Sequence, residues 1–244
     1  MPATTLPSFH VLGLSPDTVD YQEAWDLQRR LHAEVVAGSS PGAILLLEHT
    51  AVYTAGKRTE PEDLPDDGSN VVAVDRGGKL TWHGPGQLVG YPVVRLADPA
   101  AVKAYVWFLE EVLIRTLADY GLVGERVDGR SGVWITGGTD DHGKPLPDRK
   151  IAAIGLRVHQ GVSMHGFALN CNNSLEPYDH IIACGITDAG STTISAETGR
   201  TVSPNDVLSA VQGHFTALAP GHVALVSPTE DTPSTTPHLE GSTL

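Results

Sequence analysis

Three stretches of this chain repeat apolar residues at helical spacing, and the strand-like stretches between them come in runs, not singly. That order excludes the regular strand–helix alternation of a parallel barrel or a doubly wound sheet. It predicts a mixed α+β (mixed α/β) fold with helices packed on a sheet. In residues 19–38, Ala24, Leu27, Leu31 and Val35 share one helix face, and Gly38 follows as a stop signal. Asp98-Pro99 opens a second helix, with Val102, Val106, Leu109, Leu113 and Leu117 on one face and Gly121 at its end. Ser203-Pro204 opens a third, with Asp206 in the first turn and Val207, Val211 and Phe215 facing inward. "AILLLEH" reads as a buried strand, and "NVVAVDRGG", "LVGYPVVRL", "LVGERV", "SGVWI" and "KIAAIGLRV" as further strands; "VSMHGFALNCN" is a less regular one. One domain is expected over residues 1–220, with a turn-rich surface loop at 136–149. From Gly221 the chain turns Pro/Ser/Thr-rich, and a disordered tail over 221–244 is expected.

Bulk properties narrow the function. No apolar run approaches the roughly 18–20 residues of a membrane helix. The start shows no basic stretch leading into an apolar one, so neither membrane insertion nor secretion is expected. A cytoplasmic setting follows, in which a Cys171–Cys184 disulfide is not expected. The formal net charge is −13, and a surface of that sign repels phosphate backbones, which argues against nucleic acid as partner. Acidic proteins would need local basic clusters to dock. Candidates are Arg29, Arg30, Lys57, Arg58, Lys79, Arg149, Lys150 and Arg157.

Three stretches can carry chemistry. "RGGKLTWHGPGQ", 76–87, holds four glycines around Arg76, Lys79, Trp82 and His83. It matches neither phosphate-binding glycine motif, and it reads either as a ligand cradle or as a tight turn with a stacked Trp. In "DRKIAAIGLRV", Lys150 enters a strand, where a lysine either reaches solvent or shares a proton with a neighbour. "HGFALNCN" and "DHIIACGI" place His165, Cys171 and Cys184 in neighbouring stretches. With His83 they could be a zinc set, but no CxxC pair or HExxH is present and no metal is expected. Cys184 by itself reads either as a small buried hydrophobe or as a nucleophile.

Taken in order, "RGGKLTWHGPGQLVGYPVVRL", "RKIAAIGLRV", "HGFALNCN" and "YDHIIACGI" resemble the motifs of the lipoyl(octanoyl) transferases, the octanoyl-[acyl carrier protein]:protein N-octanoyltransferases. The resemblance runs from about residue 10 to 217. It implies a mixed sheet flanked by helices, like that of biotin and lipoate protein ligases. It implies an acyl-thioester intermediate on Cys184, with Lys150 as partner that lowers the thiol pKa, and no cofactor. Acyl-substrate contacts map onto Arg76, Gly77, Gly78, Lys79, Leu80, Thr81, Trp82 and His83; onto Ala153, Ile154 and Gly155; and onto Gly166, Phe167 and Ala168. The implied donor is octanoyl-acyl carrier protein. The implied acceptors are lipoyl domains of 2-oxoacid dehydrogenase E2 subunits and the glycine cleavage H protein. The loop before Lys150 is longer than the family's usual one.

For such a transfer the acyl chain needs an apolar slot, with Leu80, Trp82, Ile154 and Phe167 as candidate walls. The oxyanion needs donors, and the Gly185 N–H and the His83 side chain are candidates. Three other readings compete. An ATP-dependent lipoate or biotin ligase of the same fold would not need Cys184. A non-catalytic binding module for acylated carriers would leave the cysteine merely buried. A cysteine hydrolase lacks support, since no Cys–His–Asn signature is present.

Overall fold

The computed structural model describes residues 6–139, 142–181 and 189–224. Its centre is an eight-stranded sheet. Seven strands lie in the order β1 (Ser8–Gly13), β2 (Ala43–Leu47), β6 (Gln87–Val93), β10 (Val162–Asn170), β9 (Arg149–His159), β8 (Arg130–Ile135) and β7 (Glu125–Val127); the two-residue β11 (Gly190–Ser191) joins β9. The β1–β2 and β9–β11 pairs are parallel and the others antiparallel. A second sheet holds β4 (Val71–Ala73), β3 (Val52–Ala55) and β5 (Leu80–His83).

Both faces of the large sheet are covered, which is why β2 is apolar at every position. Ile44 and Leu46 pack toward α2 (Val102–Asp119) and α4 (Pro204–Leu218), with Phe108, Leu113, Val211 and Phe215. Ala43, Leu45 and Leu47 pack toward α1 (Tyr21–Ala37), with Leu27, Leu31 and Val35. Each leucine or isoleucine so buried contributes about 1.5–3 kcal/mol.

The helix signals hold with one shift. The Asp20 side chain caps α1 through the Gln22 and Glu23 amides, and Gly38 closes it in the left-handed region. Ser203 and Asp206 form a reciprocal capping box on α4. In contrast, α2 begins at Val102, three residues after Pro99, because Asp98 accepts from the Ala100 amide and closes a separate turn. A short α3 (Ile194–Thr198), capped by Thr193, was not anticipated, nor were β1 and β3.

The long loop before Lys150 returns at once to the sheet: Ile135, the last residue of β8, pairs with Arg149. At the other end of the chain, residues 221–224 still pack. Val223 is buried and bridges Leu96, and His222 stacks on Phe108. Residues 225–244, most of the expected tail, lie outside the described residues.

Candidate active site

A cleft of about 310 Å³ opens between the large sheet and the second sheet. Its floor is β9 and β10 where they pair Ala153 with Ala168, Ile154 with Phe167 and Gly155 with Gly166. Small residues keep this floor low. A Cβ at Gly166 would lie 2.1 Å from the Gly90 carbonyl oxygen, and one at Gly155 3.1 Å from Arg76 Cδ.

The facing wall is the 76–83 stretch. Arg76 is buried, and its guanidinium donates to the Thr54 carbonyl (2.7 Å), Thr54 Oγ1 (2.9 Å) and the carbonyls of Gly77 (3.0 Å) and Lys79 (2.8 Å). It therefore staples its own loop to β3 while lining the cleft. The Gly77 amide donates to the Leu156 carbonyl at 2.9 Å and ties the loop to β9. Along β5 the side chains alternate, as a strand requires. Thr81 and His83 face the cleft, while Leu80 and Trp82 pack with Tyr53 in a separate cluster. Leu80 and Trp82 are thus not walls of the cleft, which corrects that expectation; Ile154 and Phe167 do line it. Gly78 and Lys79 line the cleft too, and Lys79 is claimed by carboxylates, pairing with Glu60 and with Asp63 at 3.2 Å. Hydrogen bonding to Glu60, then to Asp63, holds that ammonium above the usual lysine range.

Lys150 lies opposite. Its Nζ sits over the Trp134 ring, 4.7 Å from the centroid, where the aromatic face favours the ammonium. Next to it a small cavity is lined by Lys150, Thr81, Ala168, Asn170, Tyr178 and Ser191. Ser191 is also the β11 partner of Lys150. Cys184 and Gly185 fall in 182–188, outside the described residues. Tyr178 and Ser191, the cavity residues, stand on either side of that segment in the chain.

His83 has a fixed tautomer. Gln87 Nε2 donates to Asn170 Oδ1 (2.9 Å), which turns its Oε1 toward His83 Nδ1 at 2.7 Å. Nδ1 must then carry the proton, and Nε2 is left as a lone pair without a partner among the described residues. Burial, then the neighbouring His49, push the His83 pKa down to about 3. With its Nδ1–H committed to Gln87, a neutral imidazole has no N–H left for an oxyanion, which argues against the donor role suggested by the sequence.

Sequence reasoning missed the rings around His83. Tyr21 stacks on it at 6.1 Å, and His49 lies 5.8 Å away. The His49 Nδ1–H donates to the Val19 carbonyl, and the Tyr91 hydroxyl donates to Nε2 at 2.7 Å. Burial lowers the His49 pKa to about 4 and raises that of Tyr21 to about 12. His165 joins this group by an unusual backbone. At φ +58° it leaves the strand alternation, and its ring meets Trp25 and Tyr91. Its Nε2 donates to Asp75 Oδ1 at 2.8 Å, Asp75 also pairs with Arg157, and Nδ1 is buried without a partner. Burial lowers the His165 pKa against the opposing pull of Asp75. Tyr21 and His49 sit in no glycine-rich or cysteine-bearing stretch, and Asp75 and Tyr91, beside and within the 76–96 motif, were not singled out from it.

Cys171 is core. It is fully buried, and burial pushes its thiol well up. Among the described residues no group of three His, Cys, Asp or Glu is placed to hold a metal ion. Of the proposed basic clusters, Lys79, Arg149 and Arg157 are in ion pairs with Glu60, Glu197 and Asp75, and Arg29 pairs with Asp26. Arg58 and Lys150 line the cleft.

The family model for the lipoyl protein ligase A/B catalytic domain matches residues 20–216. An octanoyltransferase of Renibacterium salmoninarum is 58% identical over 224 residues, covering 89% of this chain and 94% of that protein. One from Thermobifida fusca is 55% identical over 212 residues, covering 86% and 88%. Among solved structures, the bipartite lipoate protein ligase of Thermoplasma acidophilum, described with its E2 lipoyl domain, superposes with a TM-score of 0.65 at 15% identity, over 93% of this chain and 89% of that one. Lipoate-protein ligase A bound with ATP gives 0.59 at 12% identity, over 93% and 90%. At such identities these structures bear on the fold alone, and it is the mixed sheet with flanking helices expected from the motifs.

Proposed function

The chain belongs to the lipoyl protein ligase A/B catalytic-domain family, and within it to the octanoyltransferases; we propose that it moves the octanoyl group through a thioester on Cys184, with Lys150 as its acid–base partner. The donor is octanoyl-acyl carrier protein. The acceptors are lysines of lipoyl domains, those of 2-oxoacid dehydrogenase E2 subunits and of the glycine cleavage H protein, and the reaction belongs in the cytoplasm. Among the described residues no helix is long and apolar enough to cross a membrane.

The observation that carries this reading is the setting of Lys150. Its ammonium rests on Trp134 beside a cavity whose lining includes residues flanking the Cys184 segment on both sides. A free thiol, with a pKa of about 8.5, is only a few per cent thiolate at neutral pH, and a nearby ammonium raises that fraction. The Cys184 thiolate attacks the carrier thioester. The carrier sulfur leaves and takes a proton from the Lys150 ammonium, giving the acyl-enzyme and a neutral Lys150. The amine of the target lysine then attacks the acyl-enzyme, Lys150 removes its proton, and the Cys184 thiolate leaves. Exchange onto Cys184 conserves the thioester's activation and amide formation is then downhill, so no nucleotide is consumed. The floor of Ala153, Gly155, Gly166 and Ala168 suits an extended hydrocarbon chain lying on the sheet.

Intact-mass measurement after mixing with octanoyl carrier protein tests this. An octanoyl adduct is expected on the native chain and not on Cys184→Ser. Equal adducts on both, or none on the native chain, would overturn it. Transfer that requires ATP would instead favour the ligase chemistry of the distant structural relatives.

A further inference from the structure

Building on the acyl-transfer reading, we propose that Arg58 is a substrate-binding residue that takes the phosphate of the carrier's phosphopantetheine arm and so sets how far the thioester reaches toward Lys150.

The charge of the cleft carries this inference. The chain holds 29 Asp and Glu against 16 Lys and Arg. The cleft inverts that balance: Arg58, Arg76, Lys79, Arg130 and Lys150 line it, and no Asp or Glu among the described residues does. An octanoyl thioester is uncharged, so the acyl group gives no reason for such a lining. The arm that brings it ends in a phosphodiester, which does. Most of these cations are engaged. The Arg76 guanidinium donates to backbone carbonyls, and Lys79 lies between Glu60 and Asp63. Lys150 rests on Trp134, and Arg130 lies 5.8 Å from the centroid of the same ring. Arg58 is exposed, and its side chain has no hydrogen-bond or ion-pair partner among the described residues. A guanidinium is weakly hydrated and offers a phosphate two N–H donors at once, so an exposed arginine suits this contact better than a lysine.

The backbone of Arg58 is fixed against the cleft wall. Its amide donates to the Gly78 carbonyl at 3.1 Å, and the amide of the neighbouring Gly77 donates to the Leu156 carbonyl at 2.9 Å. Arg58 is therefore held near the Leu156 level of β9, with Lys150 at the start of that strand. Lys150 and Leu156 lie six positions apart, roughly 20 Å along the strand. The arm has about thirteen bonds from sulfur to phosphorus and spans roughly 15 Å when extended, as much as four residues of extended chain. The long side chains of Arg58 and Lys150 cover the difference. With the phosphate at Arg58, the thioester arrives at the Lys150 end.

Two small donors that differ only in the phosphate test this: octanoyl-4′-phosphopantetheine and octanoyl-pantetheine. Each is given to the full chain, and acyl-enzyme formation is followed by rapid quench and intact mass. The phosphate is expected to raise kcat/KM about tenfold, the scale of one hydrogen bond to a charged group. Arg58→Gln is expected to bring that ratio close to one, and Arg58→Lys to restore part of it. A ratio near one in the native protein overturns the proposal, as does a ratio that survives in Arg58→Gln. So does a variant that loses rate only with the whole carrier, since Arg58 would then meet the carrier's protein surface. AMP is the control for nucleotide phosphates: inhibition by AMP at a lower concentration than by 4′-phosphopantetheine would assign the cations to a nucleotide and overturn the proposal too. If neither the small donors nor the carrier form an adduct, the transferase reading fails. Calorimetry with unacylated 4′-phosphopantetheine against pantetheine, on the native protein and on Arg58→Gln, then decides the phosphate site by the same ratio.

Discussion

Two lysines face the cleft from opposite walls, and different neighbours hold them. Lys79 lies on the 76–83 loop between Glu60 and Asp63, and its charge is spent on keeping that loop against the 3₁₀ turn at Pro61–Asp63. Lys150 lies at the start of β9 on the face of Trp134. In a chain of net charge −13 several basic groups near the site are paired with carboxylates, as Arg149 is with Glu197 and Arg157 with Asp75. An aromatic face stabilises the cation without removing it from reaction, since a π-face accepts no proton. Proximity to a cleft therefore does not by itself identify a reacting lysine; its partner does.

The largest expected effect separates the two directly. Lys150→Met should slow octanoyl-enzyme formation by at least about 100-fold, the usual scale for losing an acid–base group, with an unchanged circular dichroism spectrum. Lys79→Met should slow it by less than about tenfold, because no proton transfer depends on it. Equal losses in rapid-quench acylation assays would erase the distinction.

The aromatic side of the cleft should show in acid. His49 and His83 have folded pKa values of about 4 and about 3, below the ordinary 6.5. The unfolded chain then binds protons that the folded chain refuses. Their contribution to stability is complete above pH 6.5 and is lost as pH falls toward those folded values. Each group contributes a slope of about 1.4 kcal/mol per pH unit in that window. Urea midpoints from pH 7 to pH 5 should fall accordingly, and His49→Gln should flatten the curve; a flat native curve would show that the rings accept protons in place.

The floor should respond next. A Cβ on Gly90 would lie 2.2 Å from the Phe167 ring, so Gly90→Ala should cost about 1–3 kcal/mol by overpacking. A thermal midpoint equal to the native one would mean that Phe167 yields freely. The smallest effect belongs to Glu60→Gln, which should barely move the thermal midpoint, because that carboxylate is more than half exposed, unlike the buried Asp63 that also pairs with Lys79.

Local patterns were readable in the sequence wherever one element decides its own shape. The apolar faces of α1 and α4, the Gly38 stop and the Ser203–Asp206 start all depend on residues within a few positions of each other. The continuous run of β2 announced a strand covered on both faces. The strands β1 and β3 were missed because each mixes polar with apolar residues and its pairing is set by distant chain. At the site, the motifs pointed to Lys150 and to both floor segments. They could not say that Leu80 and Trp82 face away, since alternation fixes which residues share a side but not which side meets the cleft. Nor could they reveal the orientation of His165, which comes from its own left-handed backbone inside a strand.

The two-residue strand β11 is joined to β9 by little: the Gly190 amide bonds the Asp148 carbonyl and the Thr192 amide bonds the Lys150 carbonyl. Breaking so few bonds costs far less than global unfolding, so these amides belong to a low-energy opening unit. In a hydrogen-exchange experiment they should trade for deuterium well ahead of those in β10. The backbone beside Lys150 would then separate and close again many times while the core of the sheet stays shut.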